Sequence, residues 1–322
     1  MGSIAVKTVL VTGASGRLGR HVIPLLLERG YRVRAMVHRT TLPSEFAGEV
    51  ETAPGDFADG AALTEAVQNV QAVCHFAALM PPSPDDDVFE VNVRGTYRLL
   101  EAVASCAQKP RFIFASTDAT YCTGWSFEPY HSPIDENTPL RPVLFYGVSK
   151  VLGERMCVHF QDIHKIPVVR LRFDWILTAP EVLDIFVSAP YKDLLAPEDA
   201  GKWDDPQAVK IPLEENGQPF VEQVCDVRDS AQGALLAVEK EAAAGQVFNI
   251  AGPAPFTYSE TGPKLAKRLG VAAVEGRCKG LYSYEISNEK ARGLLGYRPR
   301  YSVLDSLEDA LNAKGVARSA EL

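Results

Sequence analysis

The sequence has no stretch approaching the roughly 20 consecutive apolar residues of a membrane span. Its N-terminus leads into the strand-like run Thr8-Val9-Leu10-Val11 without a signal-peptide core. A cytoplasmic protein with no membrane partner is the expectation. Basic charge is also scarce: the formal net charge is -8, and no run of arginine and lysine interleaves with aromatics. A phosphate backbone requires such a footprint, so nucleic acid is not an expected partner. The six cysteines (Cys74, Cys106, Cys122, Cys157, Cys225 and Cys278) lack paired metal-ligand spacing, and the six histidines form no His-x-x-x-His cluster. Buried thiols and no metal follow from that scatter. Internal repeats and low-complexity tracts are absent too.

What is present is enough apolar sequence for a sizeable core. With 322 residues, 46% of them hydrophobic, the chain can fill one or two closely packed domains. Residues 7–12 read as a buried strand, and Gly13-Ala14-Ser15-Gly16-Arg17-Leu18-Gly19 opens a helical pattern through Val22, Ile23 and Leu25–Leu27 to Gly30. Strand, glycine turn and helix come in the order a phosphate cradle needs: glycines let the backbone approach a pyrophosphate, and a helix N-terminus offers free N–H groups. Strands are expected at Arg32–Val37, Val50–Ala53, Ala72–Phe76, Arg111–Ala115 and Pro167–Leu171. Helices fall between them at Ala61–Asn69, from Val88 to about Cys106, and from Tyr146 to about Phe160. That alternation predicts right-handed βαβ units: an α/β fold with a doubly wound parallel Rossmann-type sheet and a smaller C-terminal substrate lobe. Residues 122–143 read as loop, and 188–219, with five prolines, as an irregular lid. Order is expected again at Val221–Val227, Ser230–Glu239, Gln246–Ile250, Ser259–Leu269 and Val303–Leu311. The domain boundaries expected are 1–172 for the dinucleotide domain, with 221–253 returning to it, and 173–220 with 254–322 for the substrate lobe.

The chemistry is carried by Tyr146-Gly147-Val148-Ser149-Lys150. A tyrosine and a lysine four apart share one helix face, where an ammonium would lower the phenol pKa and fit it for proton exchange near neutral pH. Taken in order, these motifs resemble the extended short-chain dehydrogenase/reductase superfamily, of the NAD(P)-dependent epimerase/dehydratase-like kind. The resemblance rests on Thr12–Gly19, Asp56, His75-Phe76-Ala77-Ala78, Asn92 in Val91-Asn92-Val93-Arg94-Gly95-Thr96, and the tail Ser287–Arg292 with Leu295-Gly296-Tyr297-Arg298-Pro299. By that resemblance Thr117 takes the catalytic hydroxyl position, with Ser116 beside it as a competitor. Tyr146 is the acid/base, Lys150 its partner and a ligand of the nicotinamide ribose, and Asn92 an auxiliary. Gly13, Ser15, Gly16, Arg17, Leu18, Gly19, Asp56, Phe57, Phe76, Ala77 and Ala78 would bind cofactor.

The end of the second strand carries Val37-His38-Arg39 where NAD-preferring members place an acid. With Arg17 able to approach the same spot, NADP is the expected cofactor and NAD the alternative. Three functions compete. One is reversible oxidoreduction of a hydroxy or carbonyl compound, including a free sugar or sugar acid. The second is nucleotide-sugar epimerisation with tightly bound NAD, and the third a non-catalytic dinucleotide-binding regulator. Retention of Thr117, Tyr146 and Lys150 argues against the regulator. Ala119, where a dehydratase needs a base, argues against elimination. Trp175 and the missing arginine around Glu222 argue against a diphosphate substrate. Met80, Asp118, Tyr121, Trp175 and Tyr191 are the expected substrate-facing residues, and the helices near 88–106 and 149–163 the expected homodimer face.

Overall fold

The computed structural model describes residues 7–38 and 40–316. Its centre is a seven-stranded parallel sheet of β1 (Thr8–Thr12), β2 (Arg32–Val37), β3 (Glu51–Pro54), β4 (Ala72–His75), β5 (Arg111–Thr117), β6 (Val168–Phe173) and β7 (Val247–Ile250). The spatial order is β7-β6-β5-β4-β1-β2-β3. All five residues of β1 are buried, as a strand covered by helices on both faces must be. The chain reverses direction across the sheet between β1 and β4, and a doubly wound sheet opens a crevice beyond the strand C-termini at such a point.

One face is covered by α1 (Arg17–Glu28) against the later helix Val227–Glu239. The other is covered by α2 (Gly60–Ala66), α3 (85–105) and α4 (Phe145–His164). Inside α3, Phe89–Gly95 winds as a π-helical turn between the α-helical pieces Asp85–Val88 and Thr96–Ser105. α4 ends where Lys165 takes a left-handed conformation, φ 59°.

Two expectations about extent change. β5 runs two residues past Ala115, so Thr117 is still strand, in register with Phe173 of β6. The stretch 188–219 is not wholly irregular: Val209–Glu214 pairs in parallel with Ala273–Cys278, a partner strand the sequence pattern did not reveal. Pro212 inside the run masked it, because proline has no N–H to donate to a ladder and is confined to sheet edges. A helix at Ala179–Val187 was likewise hidden behind Pro180, which occupies its first turn, where a missing N–H costs nothing. These elements enclose a separate hydrophobic cluster around Phe186, Phe220, Tyr258 and Leu307, so the second half has its own core beside the sheet's two.

Candidate active site

The loop leaving β1 lies directly against the loop leaving β4. Gly13 has φ +69°, and a Cβ there would sit 2.7 Å from the Ala77 nitrogen, so only glycine allows this approach. Gly16 precedes α1 with no side chain capping the helix. The first-turn N–H groups are therefore unspent and point, with the positive end of the helix dipole, at the same space. A cavity of about 550 Å³ opens there. Gly13, Ser15 and Gly16 form one wall and Phe76, Ala77 and Ala78 the other, while His38, Asp56 and Phe57 close the far end. A Cβ-free cradle, an uncapped helix start and polar groups at the β2 and β3 ends fit a nicotinamide dinucleotide.

Arg17 does not reach that far end. Its guanidinium donates to the Ile176 carbonyl at 3.0 Å and pairs with Glu181, on the opposite side of β1. The second arginine of the NADP expectation, Arg39, lies outside the described residues. His38 does reach it, with Nε2 3.1 Å from Asp56 Oδ2. Leu18 and Gly19 are buried in α1 and do not line the cavity.

A buried hydrogen-bond chain ties this cradle to α3. His75 Nδ1 lies 2.8 Å from Thr12 Oγ1, and Nε2 lies 2.9 Å from Thr96 Oγ1. Thr96 spends its one proton on the Asn92 carbonyl at 2.6 Å, so it must accept from His75, which makes Nε2 the protonated nitrogen. Thr12 then donates to Nδ1. Burial pushes the His75 pKa down to about 3, so the ring stays neutral. The motif His75-Phe76-Ala77-Ala78 was legible, but not this role of its histidine. Asn92 is committed as well: it accepts from Leu79 N at 2.8 Å and donates to Leu79 O at 2.9 Å and Ser149 Oγ at 3.1 Å. It clamps the β4 exit loop to α4.

At the β5 end, Gly147 lets α4 start against the loop after Thr117, since a Cβ there would meet the Ala119 carbonyl at 2.7 Å. That places Tyr146 beside Thr117, whose hydroxyl lies near enough to act on the phenol. Ser116 donates to Glu154 at 2.6 Å, away from Tyr146, while Thr117 donates to Asp118 at 2.9 Å. Glu154 also grips Arg172 in a buried two-pronged pair at 2.8 and 2.7 Å. Lys150 is buried and donates to the Ala115 carbonyl at 2.8 Å. Its nitrogen sits 5.8 Å from the Tyr146 ring centroid.

The expected lysine effect on the phenol is not what this arrangement produces. Burial first, and then the Asp118 carboxylate, raise the Tyr146 pKa above its ordinary value, with only the Thr117 hydrogen bond opposing them. Burial at the same time lowers Lys150 to about 8.

Of the expected substrate-facing residues, Asp118 accepts from Thr117 at 2.9 Å and Thr123 at 2.6 Å, and Trp175 and Tyr191 pack, partly buried, against the core of the lobe. Tyr121 is 2% exposed, and its hydroxyl accepts from Arg172 and donates to Asn249. Met80, 51% exposed on the β4 exit loop, is on the surface. Two further acids, Asp174 and Glu222, are buried, and burial first, with the Asp118 charge adding to it, raises the pKa of both, that of Glu222 to about 7.

A doubly wound sheet with this cradle and this hydroxyl, phenol and ammonium set defines a nicotinamide-dependent α/β enzyme. The sequence profile of the NAD dependent epimerase/dehydratase family matches residues 9–251, and the chain belongs to that family, within the extended short-chain dehydrogenases/reductases. It is an NAD(P)-dependent oxidoreductase of that type. It is 37% identical to an L-arabinose 1-dehydrogenase (NAD(P)(+)) of Haloferax volcanii over 185 residues, which is 54% of this chain and 69% of the relative. It is 28% identical to a UDP-glucose 4-epimerase of Rhizobium leguminosarum bv. trifolii, covering 95% of this chain and 97% of that one. Among solved structures, a short-chain dehydrogenase/reductase superfamily protein from Agrobacterium tumefaciens with bound NAD superposes with a TM-score of 0.82. It is 33% identical, over 96% of this chain and 97% of that one.

Proposed function

We propose that this chain transfers a hydride between NADP, in preference to NAD, and a hydroxy or carbonyl compound, with a free sugar or sugar acid as the substrate class. The observation that carries the reading is the placement of Thr117 and Tyr146 together at the end of β5, with Ser116 turned to Glu154. A bound nicotinamide supplies the hydride acceptor or donor. In reduction, hydride reaches the carbonyl carbon and Tyr146, protonated because its pKa is raised, gives its phenol proton to the oxygen as the C=O becomes a carbinol. Oxidation reverses each transfer, with the Tyr146 phenolate taking the carbinol O–H proton as hydride leaves the carbon. Thr117 would orient the substrate oxygen, and Lys150 would hold the nicotinamide ribose.

Cofactor preference rests on Val37 and His38 at the end of β2, a strand that itself ends in no acid, although the Asp56 carboxylate after β3 stands 3.1 Å from His38. We assign cofactor holding to the sheet half and substrate holding to the lobe, and include a cytoplasmic homodimer joined through α3 and α4 in the same proposal. Tyr146→Phe should lower kcat by at least about 100-fold, the scale of a lost general acid/base. Cofactor affinity measured by titration should stay within about threefold. Retained turnover would refute the mechanism. Interconversion of UDP-sugars without net cofactor change would instead move the chain to the epimerase reading, which the full-length match to an epimerase keeps as the competitor.

A further inference from the structure

We propose that Arg17 is a positioning residue that couples cofactor occupancy to the second half of the chain. Its backbone belongs to the phosphate cradle and its side chain pins a hinge, so a bound dinucleotide stiffens the helix Ala179–Val187. The consequence for substrate, tighter binding to the cofactor-loaded protein, rests on the assignment of substrate holding to the lobe in the reading above.

The chain leaves the sheet at Phe173, the end of β6, and enters the lobe at the helix Ala179–Val187. Between them the short strand Ile176–Leu177 pairs in parallel with Cys225–Asp226, where the chain comes back. Outward and return crossings thus run side by side as a narrow ribbon between two cores, the kind of place where a hinge forms. Arg17 grips the outward crossing at two points. Its Nη1 donates to the Ile176 carbonyl at 3.0 Å, and its Nη2 pairs with Glu181 in the first turn of the helix. The other Glu181 oxygen, Oε2, accepts from the Thr178 N–H at 2.8 Å and the Thr178 hydroxyl at 2.7 Å, as half of a capping box. One carboxylate therefore fastens the start of the helix, and Arg17 fastens the carboxylate.

Arg17 is also the first residue of α1, directly after Gly16, and its N–H is among the first-turn donors left unspent by the uncapped start. A pyrophosphate drawn to that helix start fixes the turn from Gly13 to Arg17. Fixing the Arg17 backbone removes freedom from the guanidinium and so from Glu181, and a ligand that rigidifies one site lowers the ordering cost at the next. Both side chains are 33% exposed. Water can compete for such a pair, which suits a contact that tightens and loosens better than a permanent strut.

The test is hydrogen–deuterium exchange of the Ala179–Val187 amides in the whole chain, free and saturated with NADP+ or NAD+. The cofactor should slow exchange there by about tenfold, inside the usual range of coupling between sites. Glu181→Gln separates coupling from helix stability. Its carbonyl keeps the Thr178 bonds of the capping box, while its NH2 group faces the guanidinium donor against donor. That variant and Arg17→Met should each leave less than about a twofold slowing, and the double variant should match them, since all three cut one link. Cofactor affinity of Glu181→Gln, by calorimetry, should stay within about threefold of the parent, because the helix is formed most of the time with or without the pair. A variant that speeds exchange by the same factor in free and loaded protein, so that the tenfold slowing survives, would mark the pair as a structural prop and overturn the inference. So would a parent helix indifferent to both cofactors. No substrate enters the experiment. A parent chain that turns over neither D-galactose nor D-galacturonate would therefore count against the sugar reading and leave the coupling to be decided by exchange alone.

Discussion

Lys150 is buried where water cannot solvate its charge, and its ammonium donates a hydrogen bond to the Ala115 carbonyl. Burial lowers its pKa from 10.5 to about 8, so between those values the folded chain holds fewer protons than the unfolded one. Stability therefore rises with pH through that window, and the cost of the buried ammonium is complete below pH 8. The fall corresponds to roughly 3 kcal/mol. Lys150→Met removes that cost and forfeits a hydrogen bond of about 1–2 kcal/mol. The variant should unfold at higher urea than the parent at pH 7, by about 1–2 kcal/mol, and lose the advantage by pH 10. Its turnover should collapse. Equal urea midpoints at pH 7 would show that the ammonium is not held at the cost of stability. The Tyr146 and Lys150 pairing was legible from spacing alone, because a helix puts every fourth residue on one face. The sign of the phenol shift was not, because it comes from Asp118 and burial, and both depend on how a different strand ends.

α4 inverts the usual helix pattern. Its buried residues include Lys150 and Glu154, while Leu152 is exposed and Ile163 is 62% exposed. Leu152 and Ile163 are eleven residues apart, three turns, and so share a stripe. α3 adds exposed Phe89 and Tyr97, and the two helices pack together, with the Tyr97 ring 5.9 Å from Phe160. The inward charges have partners: Glu154 holds Arg172 and Ser116. Phe89, Leu152 and Ile163 are left exposed beside them, and an apolar stripe of that kind supports the proposed homodimer face. Light scattering should give twice the chain mass at micromolar concentration, and Ile163→Lys should shift it toward the monomer. A monomeric parent would remove the proposal. The α3 and α4 helices were legible as helices, and the dimer face followed from the resemblance. The π-helical turn at Phe89–Gly95 was not, since a one-residue widening leaves the apolar periodicity nearly intact.

At the scale of the whole molecule, the sheet half reads easily and the lobe poorly, for one physical reason. Parallel strands buried on both faces are near-continuous apolar runs with glycine turns between them. The lobe instead uses short strands broken by Pro212 and Pro219, and it closes around aromatic side chains contributed from distant positions, such as Phe186, Phe220 and Tyr258. Glu222 came into view only as a charge of the wrong sign for a diphosphate, and its tyrosine partners are 31 and 36 residues away.

Cofactor choice belongs to this scale too, because a dinucleotide spans the sheet from the β2 end to Tyr146 and stabilises every element it bridges. Binding at 100 times the dissociation constant adds about 2.7 kcal/mol, several degrees of melting temperature for a chain of this size. With His38 at the β2 end and its ring 3.1 Å from Asp56, a 2′-phosphate meets an imidazole at the position where β2 would otherwise carry an acid, and the Asp56 carboxylate stands beside that imidazole. At equal concentration NADP+ should therefore raise the melting temperature by a few degrees more than NAD+, as a tenfold difference in affinity would. His38→Asp places a carboxylate there and should reverse the order, by repelling the phosphate and accepting hydrogen bonds from the ribose hydroxyls. A larger shift with NAD+ in the parent chain would remove the NADP preference and leave the catalytic assignment standing.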